Sequence, residues 1–119
     1  FKFKFYKKKI LLDLDGVLNT YDGKYDEKFI PPIKNGAYQF LEKLSHYFEI
    51  KIFTTRNKLL TSKWIIKNKL DKFVADVTNF KSPAFLIIDD RCINFRGNFD
   101  NTLKDIEKFN VWYNYQQYK

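Results

Sequence analysis

Several residue types are scarce in this chain, and their scarcity excludes some classes of protein. Methionine is absent and cysteine occurs once among 119 residues. A single cysteine, Cys92, excludes a framework of disulfides within the chain and favours a reducing, cytoplasmic location. No apolar run approaches the roughly 20 residues of a membrane-spanning helix, so we expect no membrane association. Because methionine is missing and the sequence starts at Phe1, we expect a processed, trimmed or excised piece of chain.

Basic residues outnumber acidic ones, with 22 Lys and Arg against 14 Asp and Glu. The chain therefore has a net charge of +8 and an isoelectric point near 9.5. This balance favours polyanionic partners such as nucleic acid. The alternative is a merely solvated basic surface, because joint richness in Lys, Asn, Ile, Phe and Tyr can reflect the base composition of a gene. Hydrophobic residues make up 45% of the chain and aromatic residues 19%, which argues against disorder and, with the length, predicts a single domain over residues 1–119.

Short apolar runs alternate with amphipathic segments, and this alternation predicts an α/β fold with a mainly parallel, doubly wound sheet. Residues 1–8 alternate aromatic and lysine side chains, so we expect an edge strand or arm; the alternative is an arm that stacks bases. Residues 110–119 form an aromatic, polar tail without a predicted structure. The predicted strands cover residues 10–12, 49–54, 73–77 and 85–88, and the predicted helices cover residues 35–47, 58–70 and 102–109. In the 58–70 helix we expect the buried side to carry Leu59, Trp64, Ile66 and Leu70.

Chemically versatile residues follow the predicted strands at the points where the strands end. Asp13 and Asp15 follow the first strand, and Gly16 allows a sharp turn directly after them. Asp89 and Asp90 follow the last strand. Ligands bind at the carboxyl ends of the strands in open α/β sheets, and grouped carboxylates there are costly to bury without a hard cation. The pattern therefore predicts a metal site at this edge of the sheet.

The sequence DLDGVL at residues 13–18 resembles the first motif of the haloacid dehalogenase-like (HAD) phosphohydrolases. The other family motifs follow in the family's order, with a hydroxyl at Thr54, a lysine at Lys81 and then the acidic pair, so the resemblance spans residues 9–96. Receiver domains of response regulators use similar groups, but their acidic pair comes first in the sequence. Here the acidic pair comes last, so we do not expect a receiver domain. The resemblance implies a three-layer, Rossmann-like core and a phosphatase activity.

The resemblance implies a catalytic role for four residues. Asp13 corresponds to the nucleophile that forms an aspartyl-phosphate, and Asp15 corresponds to the general acid and base. Thr54 corresponds to the residue that hydrogen-bonds the transferring phosphoryl group. Lys81 corresponds to the lysine that pairs with the phosphate and keeps the nucleophile ionised.

The resemblance also implies a Mg²⁺ cofactor, which neutralises charge between the attacking carboxylate and the phosphate. The implied metal ligands are a side-chain oxygen of Asp13, a backbone oxygen of Asp15, and the pair Asp89 and Asp90. We favour Asp90 as the direct ligand. Whether Asp89 binds the ion directly or through another group stays open.

Three further residues next to these motifs are candidates for substrate binding: Thr55, Arg56 and Arg91. Arginine is scarce in this chain, and its guanidinium forks onto phosphate oxygens better than the lysine ammonium does. A salt bridge to a nearby acid is an equally good interpretation of Arg56 and Arg91. For Arg96 we favour the salt bridge.

Residues 19–32 and 56–80 leave no room for the cap domain that many HAD enzymes insert. A capless site is open, so we expect a Mg²⁺-dependent phosphomonoesterase that admits a large substrate such as a phosphorylated nucleic-acid end. The motifs are similar to those of the phosphatase half of polynucleotide kinase-phosphatases, and equally to those of small phage and bacterial HAD proteins of unknown function. Two alternatives stay open: a phosphatase for small phosphorylated metabolites with a lid from an oligomer partner, and a non-catalytic nucleic-acid-binding module.

Overall fold

Strands and helices alternate along residues 7–112, the part of the chain that this computed structural model describes. The order is β1 (Lys8–Leu12), α1 (Ala37–Ser45), β2 (Phe48–Phe53), α2 (Lys58–Lys67), β3 (Val74–Thr78), β4 (Leu86–Ile88) and α3 (Phe99–Lys108). Each predicted strand and helix is present, with ends that are shifted by a few residues. Residues 1–6 and 113–119, which hold most of the predicted arm and tail, lie outside the described part.

The strands of the described chain form one parallel sheet in the order β3-β2-β1-β4. Strand β1 lies inside the sheet and pairs with β2 in the register Leu12↔Ile52 and with β4 in the register Leu12↔Ile88. The chain therefore winds outward from β1 to β3 and then returns to place β4 on the other side of β1. This topology confirms the predicted α/β, Rossmann-like fold without a cap. It also makes the gap between β1 and β4 the switch point at which such sheets bind ligands.

The main hydrophobic core lies between the sheet and helices α1 and α2. Ile10 and Leu12 point to this face of β1, because side chains alternate along a strand, and both are almost fully buried. They pack in one cluster with Leu41 of α1 and Trp64 of α2. Leu11 is fully buried as well, although it points to the opposite face. Burial on both faces explains the continuous apolar run that marks this strand in the sequence.

One prediction about the buried face of α2 is wrong. The residues that this helix buries follow the spacing i, i+3, i+4, as Thr61, Trp64 and Ile65. Leu59 and Ile66, which the apolar pattern predicts to be buried, are 64% and 61% exposed. These two residues share the outer face of the helix, because a separation of seven residues is close to two full turns.

Helix α3 differs from α1 and α2, because within the described residues it buries none of its side chains. Beyond α3, Val111 is buried, and the indole N–H of Trp112 donates to the carbonyl oxygen of Gly16 at 2.7 Å. The described end of the chain thus returns to the turn that follows β1. No helix between residues 7 and 112 is long and apolar enough to cross a bilayer.

Candidate functional site

Asp13 lies at the carboxyl end of β1, where the chain makes a sharp turn. Its backbone N–H donates to the Ile88 carbonyl oxygen at 2.9 Å, so Asp13 continues the pairing of β1 with β4. Gly16 follows with a φ of 82°, a conformation that glycine adopts without strain. The Gly16 N–H donates to Asn19 Oδ1 at 3.1 Å, which fixes the turn. The sequence around Asp13 and Asp15 therefore folds as a strand end followed by a locked turn.

Asp89 and Asp90 lie beside Asp13, because β4 pairs with β1 and both strands end at the same edge of the sheet. Each of the three residues offers a carboxylate oxygen, and these oxygens lie within 4.8 Å of one another. The backbone N–H of Arg91 donates to Asp89 Oδ1 at 2.9 Å, which fixes the start of the loop after β4. We call Asp13, Asp89 and Asp90 the acidic cluster.

Burial and crowding favour protonation within the acidic cluster. Burial first, and then repulsion by Asp89 and interaction with Asp90, raise the pKa of Asp13 from 3.8 to about 8. Burial also raises the pKa of Asp90. Asp90 Oδ2 is buried and has no hydrogen-bond partner among residues 7–112. Close carboxylates with an unpartnered buried oxygen fit a hard divalent cation, which prefers a few carboxylates and water as ligands.

Asp15, two residues after Asp13, has a separate set of partners. Arg56 Nε donates to Asp15 Oδ2 at 2.7 Å, and Asn19 Nδ2 donates to Asp15 Oδ1 at 3.1 Å. The Asp15 carboxylate is not part of the acidic cluster. The resemblance assigns only a backbone oxygen of Asp15 to the metal, so this separation is consistent with different roles for the two aspartates.

Arg56 is a fully buried side chain that lies behind the pocket rather than on its wall. Its Nη1 donates to the Asp26 carbonyl oxygen at 2.8 Å, and its backbone N–H donates to Thr54 Oγ1 at 3.2 Å. Its Nη2 is buried and has no hydrogen-bond partner in the described range. Of the two interpretations of Arg56, the structure contains the salt bridge, and the guanidinium does not line the pocket as a substrate-binding group would.

An open pocket of about 260 Å³ lies at the carboxyl ends of β1, β2 and β4. Thr54 is buried at the end of β2, where its backbone N–H donates to the Thr78 carbonyl oxygen at 3.0 Å, and Thr55 beyond it is exposed. The parallel sheet thus brings the ends of three strands together. The predicted residues that line the pocket are Asp13, Asp15, Thr54, Thr55, Asp89, Asp90 and Arg91.

Three aromatic residues that the sequence analysis did not single out complete the lining: Tyr21, Tyr25 and Phe53. Tyr21 and Tyr25 belong to the loop of residues 19–33, whose ends meet in a bridge between Asn19 and Ile33. The signal that could have found them is the presence of two tyrosines in the loop directly after the DLDG turn. Such a loop starts at the ligand-binding edge of the sheet, where binding residues are common.

Lys81 does not line this pocket, although the resemblance implies that it pairs with the phosphate. It is exposed, in the loop between β3 and β4. Asn79 anchors the start of that loop, because its Nδ2 donates to the carbonyl oxygens of Thr54 and Arg56 at 2.6 and 2.9 Å. This anchor fixes the backbone two residues before Lys81 and leaves the lysine at the surface. Among the described residues, the cation on the pocket wall is Arg91.

A larger cavity of about 980 Å³ opens at the opposite, amino-terminal ends of β1, β2 and β3. Its lining mixes lysines with glutamates, and Lys9 Nζ lies 3.9 Å from Glu49 Oε2. Residues 7–112 place no group of three metal-ligating side chains there. We therefore take the smaller pocket as the candidate site, because the convergent carboxylates lie in it.

Comparisons with known proteins bear on the fold. No protein-family model matches the chain, and no curated protein matches it. Among solved structures, the chain is similar to a conserved protein from Bacteroides thetaiotaomicron, with 17% sequence identity and a TM-score of 0.56. The alignment covers 90% of this chain and 95% of that chain. The similarity supports the α/β architecture and assigns no activity.

Proposed function

We propose that this chain is a HAD-like, Mg²⁺-dependent phosphomonoesterase that works through an aspartyl-phosphate on Asp13. The observation that carries the proposal is the pair of unlike aspartates on one turn at the switch point of the sheet. Asp13 belongs to the acidic cluster, whereas Asp15 is held outside it by Arg56. Two carboxyl groups in such different surroundings suit two different steps of one reaction.

The proposed reaction consists of two displacements at phosphorus. In the first, Asp15 carries a proton taken from solvent. An Asp13 carboxylate oxygen attacks phosphorus and the bond to the ester oxygen breaks, while Asp15 gives that proton to the departing alcohol. In the second, Asp15 takes a proton from water, the water oxygen attacks phosphorus, and the acyl-phosphate bond breaks. Inorganic phosphate leaves, Asp13 is again a carboxylate, and Asp15 is again an acid.

The acidic cluster supports a divalent cation beside the nucleophile. Asp13, Asp89 and Asp90 would hold the ion, and the unpartnered Asp90 Oδ2 favours Asp90 as a direct ligand. When bound, Mg²⁺ supplies charge neutralisation between the Asp13 carboxylate and the phosphate oxygens. A positive charge at this place also opposes the raised pKa of Asp13 and so keeps the nucleophile ionised.

Thr54 and Arg91 are the pocket groups that support phosphate binding. Thr54 Oγ1 accepts the backbone N–H of Arg56, which leaves the hydroxyl hydrogen to donate to a phosphate oxygen. Arg91 lines the pocket next to the acidic cluster, and its guanidinium suits two phosphate oxygens at once. In the proposal Arg91 takes the charge-pairing role that the resemblance gives to Lys81.

The open pocket and the basic charge support a large, anionic substrate. With no cap over the strand ends among residues 7–112 and a net charge of +8, a phosphorylated nucleic-acid end is the substrate that we propose. The rivals are a small phosphorylated metabolite enclosed by an oligomer partner, and a module that binds nucleic acid without catalysis.

Hydrolysis of an aryl phosphate with and without Mg²⁺ tests the proposal. We expect Mg²⁺-dependent phosphate release by the parent and its complete loss in Asp13→Asn, because an amide cannot form the acyl-phosphate. Asp71→Asn, the same change at an exposed aspartate before β3, is the matched control and should keep the activity. Turnover by Asp13→Asn at the parent rate would contradict the covalent mechanism. Salt-sensitive oligonucleotide binding by a parent without turnover would favour the binding module instead.

A further inference from the structure

Part of the pocket lining is aromatic, in contrast with the carboxylates around Asp13. The aromatic lining residues are Tyr21, Tyr25 and Phe53. Tyr25 is 54% exposed, so it lies on the rim of the pocket. Phosphoryl transfer itself uses charged groups and hydroxyls, so the chemistry alone does not explain an aromatic rim.

The ring of Tyr25 is backed on one face by the buried side chain of Arg56. Arg56 Cζ lies 4.7 Å from the ring centroid, within the range of a cation–π contact. The guanidinium is itself held by Asp15 Oδ2 and by the carbonyl oxygen of Asp26, the residue after Tyr25. Because one face of the ring is covered, its exposed surface belongs to the other face and to the edges.

The loop that carries Tyr25 is also closed at its base. The Thr20 N–H donates to the Pro32 carbonyl oxygen at 2.9 Å, and the Lys34 N–H donates to the Leu18 carbonyl oxygen at 2.8 Å. Together with the bond from Arg56 to Asp26, these contacts hold the loop at its base and beside Tyr25. A ring held in place before binding costs less entropy to order when a flat partner stacks on it.

We propose that Tyr25 stacks on a planar ring in the alcohol part of the substrate, so that the site prefers phosphate esters that carry a nucleobase. This rests on the proposed phosphomonoesterase function and narrows its substrate class. The pocket of about 260 Å³ is smaller than the roughly 300–1,000 Å³ of sites that enclose a small molecule. It therefore takes the phosphate, and the remainder of the ester lies on the rim beside Tyr25. Stacking there accepts any base, because every base has a π-face.

The competing explanation is that Tyr25 only shields Arg56 from water. A shield would affect every substrate alike, because it acts through Arg56 and Asp15 on the shared chemistry. A stacking ring affects only the esters that carry a base. The two explanations therefore differ in the ratio of two substrates rather than in the activity on either one.

The test compares kcat/KM for adenosine 5′-monophosphate and ribose 5-phosphate, which share the sugar phosphate and differ in the base. We expect the parent to prefer the nucleotide by roughly tenfold or more, the range of one base–aromatic stack. Tyr25→Leu should bring the ratio close to one, whereas Tyr25→Phe should keep it. Tyr47→Leu, the same change at a tyrosine that is 75% exposed beside the amino end of β2, is the matched control and should keep the parent ratio.

The outcomes separate this proposal from the function on which it rests. Equal hydrolysis of both substrates by the parent overturns the stacking role and leaves the phosphomonoesterase standing. A proportionate fall for both substrates in Tyr25→Leu overturns it too, in favour of the shield, and a thermal melt of each variant shows whether folding was lost. If the parent hydrolyses neither of these substrates and also fails to hydrolyse a 3′-phosphorylated oligonucleotide, both proposals are overturned. If stacking is supported, comparing the rates on the 3′-phosphorylated oligonucleotide and on adenosine 5′-monophosphate shows whether the base belongs to a nucleic-acid end or to a free nucleotide.

Discussion

Asp13 and Asp15 lie two residues apart on one turn, yet the fold surrounds them in opposite ways. Asp13 faces two further carboxylates, and its pKa rises to about 8. Asp15 faces the Arg56 guanidinium at 2.7 Å and the Asn19 amide at 3.1 Å. Both residues are aspartates at the same strand end, so the difference between their surroundings comes from the long-range partners that β2 and β4 bring there. One carboxyl requires a proton or a cation beside it, and the other is already paired.

Removing the carboxyl group of Asp15, the general acid of the proposed reaction, should change the activity more than the Asp90 and arginine substitutions below. Asp15→Asn should lower kcat by about 10²–10⁴, the range of general acid–base catalysis. The Mg²⁺ concentration for half-maximal rate should stay unchanged, because the Asp15 carboxylate lies outside the acidic cluster. Asp90→Asn is the counterpart and should raise that concentration. Steady-state rates over a Mg²⁺ titration measure both, and the reverse pattern would mean that the two groups have been assigned the wrong way round.

Removing the cation that pairs with Asp15 should chiefly cost stability. Arg56→Met should lower the free energy of unfolding by about 3–5 kcal/mol, because it leaves a half-buried carboxylate without its buried partner. Urea unfolding at neutral pH measures the loss. Adding Asp15→Asn to Arg56→Met should recover part of it, since the unpaired charge is then gone. An additive further loss in the double variant would contradict the pairing.

The raised pKa of Asp13 makes the stability of the fold depend on pH. Folding raises the pKa of Asp13 from 3.8 to about 8, so the folded chain holds a proton that the unfolded chain releases. The stability due to this group is fully present below pH 3.8 and is lost as the pH rises toward about 8. Without Mg²⁺, Asp13 should contribute at most about 1.4 kcal/mol per pH unit to the slope. Asp90, whose pKa is also raised, contributes in the same direction.

Thermal unfolding in chelator between pH 4 and pH 9 measures this slope. Asp13→Asn should reduce the slope, because the asparagine does not titrate. Saturating Mg²⁺ should add most stability at the alkaline end, where the carboxylates are ionised and bind the ion best. A slope of the same size in Asp13→Asn as in the parent would assign the titration to another group.

The smallest effect is expected at a second arginine, which serves as the exposed counterpart of Arg56. Arg96 Nη2 lies 3.0 Å from Asp105 Oδ2, but the two side chains are 56% and 32% exposed. Arg96→Met should therefore cost less than about 1 kcal/mol, as is typical of surface pairs. The same urea series measures it. A loss as large as that of Arg56→Met would mean that burial does not set the difference between the two pairs.

The convergence of the acidic residues could be predicted from the sequence because it depends on a general property of parallel sheets. Apolar runs that end in Asp13 and in Asp89 indicate two strands, and parallel strands end at one edge. No knowledge of the loops was needed for that step. The salt bridge of Arg96 was also within reach, since Asp105 lies in the helix that follows.

The partners of Asp15 and the position of Lys81 could not be predicted in the same way, because they depend on the paths of loops. The bond from Arg56 to Asp15 spans 41 residues, and the contact from Arg56 to Tyr25 depends on how the 19–33 loop folds back. Lys81 lies two residues after an anchor that Asn79 makes with the end of β2. Local sequence patterns indicate helices, strands and turns, but they do not indicate which side chain forms a hydrogen bond with which carbonyl oxygen of a loop.

The hydrogen bond from Trp112 to the Gly16 carbonyl oxygen joins groups that are 96 residues apart in sequence. The turn that directly follows the two aspartates is thus completed by one of the last described residues of the chain. During synthesis the four strands emerge first, and the Gly16 carbonyl is left to water until Trp112 follows. The order of translation therefore delays this one hydrogen bond of the turn until Trp112 has been made, although the bond from the Gly16 N–H to Asn19 can form earlier.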